Sequence, residues 1–259
     1  MKQTTRRWWG ILCCQPNFEW TVHEYVRSYE EGQAIADKLY IMEDAPYCGR
    51  VLSCAAPGGR PTVYNVHSGG IPGPGAAPGP LLFTHRKNWT FGQNQLLGCD
   101  PNGNQVRIPC CCCLPYLETR DADGRHLGTS RYVCDECLFV PKFKVEDPEG
   151  NKVFRIRTDT CCGGCCVRCV CGQKGGRCCA IPFYIQDPQP PHGVLPAHDF
   201  GDGTPQAEVT MLWPGMAKSC CQRQNYALKF PAGATPDMKA TLMGFTLLLD
   251  MTMFEQQQG

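Results

Sequence analysis

The sequence predicts a mostly-β protein built around one enclosed, apolar helix near its C-terminus. Short segments of alternating polarity recur along the chain, and Gly 28 and Pro 22 supply many turns. One late segment carries the start signals of a helix but has no polar face. At 259 residues the chain is long enough for one large domain or two small ones with a core needing no external staple. Hydrophobic residues make up 42% and charged residues 19%, which excludes wholesale disorder. Lys+Arg 25 against Asp+Glu 24 gives a net charge of +1, so no general nucleic-acid binding is expected.

The strand segments are, in order, Thr21–Val26, Thr62–His67, Leu81–Thr84, Asn104–Ile108, Lys142–Glu146, Lys152–Ile156 and Tyr226–Phe230. Each alternates over a length suited to a strand with one buried face. Gly69–Pro80 and Asp187–Pro205 are loops, because Pro lacks a donor and Gly lacks a side chain. Asp100–Gly103, Asp121–Gly124 and Asp147–Gly150 share the form Asp-x-x-Gly, which suits type I turns. The similar short runs that follow them predict hairpins in an antiparallel meander.

Thr235–Glu255 is the helix. Thr235 is its N-cap, Pro236 takes the first helical position, and Asp237 faces the positive end of the dipole. Beyond Ala240 apolar residues occupy every side, so the helix must be surrounded by protein or by lipid. The uncharged run Ala240–Leu249, bracketed by Lys239 and Asp250, is far shorter than the roughly 20 residues a membrane crossing needs. A helix threaded through a β-barrel is therefore expected, with Gly244 admitting a close strand or side chain.

The 21 cysteines cluster in pairs and runs that suit a reducing compartment better than a disulfide scaffold. Lys2, Arg6 and Arg7 precede an apolar stretch of only Trp8 to Cys14, with no small-x-small cleavage site, so secretion is not expected. The run Cys110, Cys111, Cys112 and Cys113 follows a strand and is a target for acylation, and Cys13 and Cys14 beside Trp8 and Trp9 form a weaker one. A metal reading stays open: Cys134 with Cys137, and Cys162 with Cys165, are CxxC pairs at a spacing tolerable for zinc. No GxSxG, HExxH or P-loop motif is present, and no enzyme chemistry is assigned.

From near Phe18 to Glu255 the chain resembles the phospholipid scramblase family, whose C-terminal fold is tubby-like. The resemblance is carried by Gly32–Asp44, Tyr47–Arg50 and Arg60–Tyr64, by Cys110–Leu117, and by Cys137, Pro141 and Phe143. Its most specific part is Phe230-Pro231 followed by Met238–Ala240, Gly244 and Asp250–Glu255. It implies a closed antiparallel barrel of about twelve strands around a central helix that includes Met238, Gly244, Phe245, Leu248, Asp250 and Phe254. It divides the chain into an N-terminal basic, aromatic and cysteine segment, 1–17, and a barrel domain, 18–259. It further implies ATP-independent movement of membrane phospholipids between leaflets, palmitoylation of Cys110–Cys113, and a place at the cytoplasmic face of the plasma membrane. A non-transporting lipid-binding or scaffold module is the alternative, and oligomeric state is left open. The family's Ca²⁺ segment lies just before Phe230. Here it offers the amides of Gln222, Gln224 and Asn225, with Gly233 where a carboxylate would stand. Hard cations prefer several carboxylates, so a calcium requirement does not carry over.

Overall fold

A computed structural model describes residues 2–3, 19–22, 38–45, 61–88, 96–99, 105–108, 114–133, 141–158, 160–161, 166–167, 180–186, 207–212 and 225–254. In chain order its strands are β1 (Lys2–Gln3), β2 (Glu19–Val22), β3 (Leu39–Asp44), β4 (Thr62–Ser68), β5 (Leu81–Lys87), β6 (Leu96–Cys99), β7 (Gln105–Ile108) and β8 (Tyr116–Asp121). These are followed by β9 (His126–Val133), β10 (Lys142–Glu146), β11 (Lys152–Thr158), β12 (Thr160–Cys161), β13 (Cys166–Val167), β14 (Ala180–Gln186), β15 (Ala207–Leu212) and β16 (Asn225–Lys229). Helix α1 (Pro236–Leu249) comes last and passes into a π-helical stretch, Asp250–Phe254.

Eleven strands make one antiparallel sheet in the order β2-β3-β4-β5-β8-β9-β10-β11-β14-β15-β16. β6 with β7 and β12 with β13 form two separate pairs. The sheet curls far enough that β1 touches both outer strands: Lys2 pairs with Thr21 of β2 and with Asn225 of β16. Lys2–Gln3, in the N-terminal segment, is thus part of the sheet.

Period-2 alternation sets which side chains enter the interior. On β4, Thr62, Tyr64 and Val66 are buried while their neighbours are half-buried. The register aligns Glu43, Tyr64, His85 and Thr119 as one inward row across β3, β4, β5 and β8. On the far side Phe143, Ile156, Phe183, Ile185 and Val209 are buried on β10, β11, β14 and β15.

The expected strands at Lys142–Glu146 and Thr62–His67 are present, the second one residue longer. Two ends differ. The expected Thr21–Val26 is β2 at Glu19–Val22, and Leu81–Thr84 continues to Lys87 because His85 and Lys87 turn inward and are buried. The Asp-x-x-Gly turns at Asp121–Gly124 and Asp147–Gly150 form as expected. In each the Gly N–H donates to the Asp carbonyl at 3.1 Å, with φ of +87° at Gly124 and +86° at Gly150. Such φ values favour glycine, which has no Cβ to clash. Asp100–Gly103 lies outside the described residues.

Helix α1 starts as its sequence dictates. The Thr235 hydroxyl accepts from the Met238 N–H at 3.3 Å, Pro236 leads the first turn, and Asp237 forms an ion pair with Arg125 at 2.9 Å. Every residue from Ala240 to Leu249 is buried. Phe245 meets Phe143 edge to face at 5.1 Å, and Phe143 meets Tyr132 in the same way at 5.1 Å. Interior threonines satisfy their hydroxyls within the helix, Thr246 donating to the Leu242 carbonyl at 3.2 Å. Burying each large apolar side chain contributes about 1.5–3 kcal/mol, so this one segment is a major part of the core.

Candidate functional site

The sheet has two ends, and α1 runs from one to the other. At the first, Arg125 in the β8–β9 turn holds Asp237 near the helix start. At the second, Tyr226 of β16 donates to Asp250 Oδ1 at 2.7 Å, both groups being buried. Along the way, Ser130 of β9 donates its hydroxyl to the Thr241 carbonyl at 3.1 Å. The helix is therefore pinned along its length by groups from facing strands.

Gly244 is where helix and sheet come closest. A Cβ there would stand 2.8 Å from His85 Nδ1 and 3.0 Å from both Leu117 Cδ2 and Thr119 Oγ1. His85 is wholly buried, with Nδ1 3.0 Å from Thr119 Oγ1, and Phe83 lies edge to face against its ring. Burial disfavours the imidazolium and pushes the His85 pKa down to about 3, so the ring is neutral at physiological pH. His85 Nε2 and Thr62 Oγ1 are buried without a hydrogen-bond partner among the described residues. Lys87, Glu43 and Thr62 are also almost fully enclosed, which makes one quadrant of the interior polar.

That quadrant was not foreseen from the sequence. Thr84-His85-Arg86-Lys87 reads as the polar end of a strand, and the signal available was the unbroken alternation of Phe83, His85 and Lys87.

Of the helix residues singled out by sequence, Gly244, Phe245, Leu248 and Asp250 are buried, Met238 is half-buried, and Phe254 ends the π-helical stretch. Asn225 lies in β16, half-buried, opposite Lys2 and Leu212. Cys13, Cys14, Cys110–Cys113, Cys134, Cys137, Cys162, Cys165, Gln222 and Gln224 lie outside the described residues. Among the described residues, no three His, Cys, Asp or Glu side chains are grouped to hold a metal ion. Likewise, no described helix is long and apolar enough to cross a membrane.

One antiparallel sheet wrapped on a single buried C-terminal helix defines the class: a mostly-β domain with a helical core. Its relatives are more particular. The chain is 26% identical over 153 residues to phospholipid scramblase 2 of Bos taurus, covering 58% of this chain and 43% of that protein. It is 27% identical over 150 residues to phospholipid scramblase 1 of Homo sapiens, covering 56% and 38%, and 23% identical over 150 residues to that of Mus musculus, covering 57% and 38%. The resemblance to the phospholipid scramblase family is thus borne out by named relatives, and the matched region spans about two fifths of their length. No family model matches the chain, and no solved structure matches it.

Proposed function

We propose that this protein is a membrane-associated, scramblase-like protein that moves phospholipids between leaflets without ATP and carries out no covalent chemistry on them. The observation that carries the reading is the likeness to phospholipid scramblases, joined to a C-terminal helix whose apolar residues are spent inside the protein. With α1 enclosed, attachment to a bilayer falls to acyl chains, thioester-linked at Cys110–Cys113 and secondarily at Cys13 and Cys14. One such chain anchors marginally and two anchor stably. The sheet acts as a closed barrel of twelve strands, with the single Lys2–Asn225 pair joining β1 to β16. The working place is the cytoplasmic face of the plasma membrane. Calcium is not required at 222–225, because the side chains there supply amide rather than carboxylate oxygens.

The test is leaflet exchange of a fluorescent phospholipid in vesicles reconstituted with the full chain, read by dithionite quenching. The reading expects quenching to pass well beyond the outer-leaflet fraction, with or without calcium. Quenching that stops at the outer leaflet under both conditions overturns transport and leaves a lipid-binding module. Loss of hydroxylamine-sensitive acyl labelling on Cys110–Cys113→Ser supports the anchor, and stoichiometric zinc in the purified protein opposes it.

A further inference from the structure

Tyr132 of β9, Phe143 and Val145 of β10, and Phe154 and Ile156 of β11 are buried in the core. By alternation the residues between them line the outer face of the sheet. Arg131, Lys142, Lys144, Arg155 and Arg157 stand there, each half-buried. The register sets like charges opposite one another: Lys142 faces Arg157, and Lys144 faces both Arg131 and Arg155. Opposed residues lie about 5 Å apart and alternate residues of one strand about 7 Å apart, so the cations form one compact patch.

Glu146 is the single acidic residue of these three strands, and it pairs with Arg131 at 3.0 Å and Lys144 at 2.6 Å. Lys152 is exposed at the rim, next to the turn that carries Asp147 and Glu149. Other parts of the outer face set cations against acids. Arg86 faces Glu118, which also pairs with Arg120 at 3.3 Å, and Lys229 faces Glu208. Like charges directly opposite one another destabilise a sheet, so the ladder on β9–β11 works against the fold until an anion meets it.

The patch is held in shape from beside and behind. The Arg131 guanidinium lies 4.5 Å over the Tyr116 ring, and Phe143 packs edge to face on Phe245 of α1 at 5.1 Å. A single-stranded nucleic acid also brings clustered phosphates, but it binds by stacking bases on open aromatic faces, and Arg131 covers one face of Tyr116. An anionic leaflet asks only for a cationic surface, and Tyr116 and Tyr184, opposite Arg131 and Arg157, flank this one with rings suited to headgroup depth. We infer that the outer face of β9–β11 docks on an anionic phospholipid leaflet, the protein lying on this flank with α1 behind the sheet. The inference rests on the membrane reading above and adds the docking face and the charge of its lipid.

The experiment is vesicle flotation of the full, unacylated chain on phosphatidylcholine vesicles with and without phosphatidylserine. Binding is expected only with phosphatidylserine, weakening as salt screens the contact. The pair Lys142→Glu and Arg155→Glu lowers that binding by about tenfold or more. Its new carboxylates face Arg157 and Lys144, so the thermal midpoint is expected to hold or rise, which separates lost docking from lost folding. The neutral pair Lys142→Gln and Arg155→Gln gives a smaller loss of binding in the same direction. The pair Lys38→Glu and Lys239→Glu makes the same change in net charge as the first pair, at exposed positions outside these strands, and leaves binding within about twofold. Ile71, Leu81 and Leu82 are exposed on and beside the β4–β5 connection and form the rival surface. Equal loss from the β10–β11 and control pairs, equal binding to neutral vesicles, loss confined to Leu81→Glu with Leu82→Glu, or binding of a single-stranded oligonucleotide in place of vesicles overturns the inference. Leaflet exchange is scored separately: exchange without docking through this face sinks only the inference, and docking without exchange sinks only the transport.

Discussion

Replacing Gly244 by alanine reverses the usual sign of a helical glycine substitution. In a helix facing solvent or lipid, Gly→Ala stabilises by about 1 kcal/mol. Here the new methyl would lie 2.8 Å from His85 Nδ1 and 3.0 Å from Leu117 Cδ2 and Thr119 Oγ1, all on strands that wrap the helix. His85 has nowhere to retreat, since it is wholly buried and hydrogen-bonded to Thr119. Weakening that bond costs about 1 kcal/mol, and overpacking a filled core costs about 1–3 kcal/mol. Set against the propensity gain, Gly244→Ala is expected to lose about 1–3 kcal/mol, lowering the thermal midpoint by roughly 2–12 °C. The assay is denaturant and thermal unfolding, completed as a double-mutant cycle with His85→Ala. Removing the imidazole opens the space, so Gly244→Ala should be far less costly or stabilising in that background, with a coupling of about 0.5–3 kcal/mol. An alanine that stabilises equally in both backgrounds would show that no side chain closes over Gly244 and would refute the reasoning.

Three more outcomes follow from the same interior. Phe245→Ala, which empties a fully buried site against Phe143, is expected to cost about 3–5 kcal/mol, seen as a lower urea midpoint or failure to fold. Thr235→Ala removes the hydroxyl that accepts from the Met238 N–H and should cost about 1 kcal/mol, while Thr235→Ser restores most of it. The His85 pKa in the folded state is about 3, below the ordinary value of 6.5, so the unfolded chain takes up a proton that the folded chain refuses. The resulting stability is complete above pH 6.5 and drains as pH falls toward 3, with a slope approaching about 1.4 kcal/mol per pH unit. The thermal midpoint should therefore drop between pH 6.5 and 5, and His85→Asn should reduce that drop. The carboxyl groups of Asp121 and Asp147, held below their usual range by Arg125 and Asn151 respectively, stay ionised across that window.

What the sequence disclosed tracks how local each signal is. The helix was legible because its cap, leading proline, first-turn acid and all-round apolarity lie in one stretch, Thr235–Leu249. The turns at Asp121 and Asp147 were legible because an Asp carbonyl and a left-handed glycine three residues apart fix them locally. β14 and β15 were not anticipated, and the hairpin expected at Asp121–Gly124 had no strand bounds until β8 and β9 supplied them. In β9, His126-Leu-Gly-Thr-Ser-Arg-Tyr-Val133, small and polar residues occupy inward positions, because Gly128 and Ser130 sit against Thr241 of the helix rather than against an open core. Its periodicity is invisible until the helix is in place. The polar row through Glu43, Tyr64, His85 and Thr119 is likewise a property of register across four strands, which no single segment encodes.

Amide hydrogen exchange of the full chain in aqueous buffer, without lipid or detergent, reads the enclosure of α1 most directly. If the sheet surrounds the helix, amides from Ala240 to Leu249 should exchange as slowly as those of β8 and β9, and adding vesicles should not slow them further. Rapid exchange in buffer, with protection appearing only once a bilayer is supplied, would place those leucines in lipid and contradict the account.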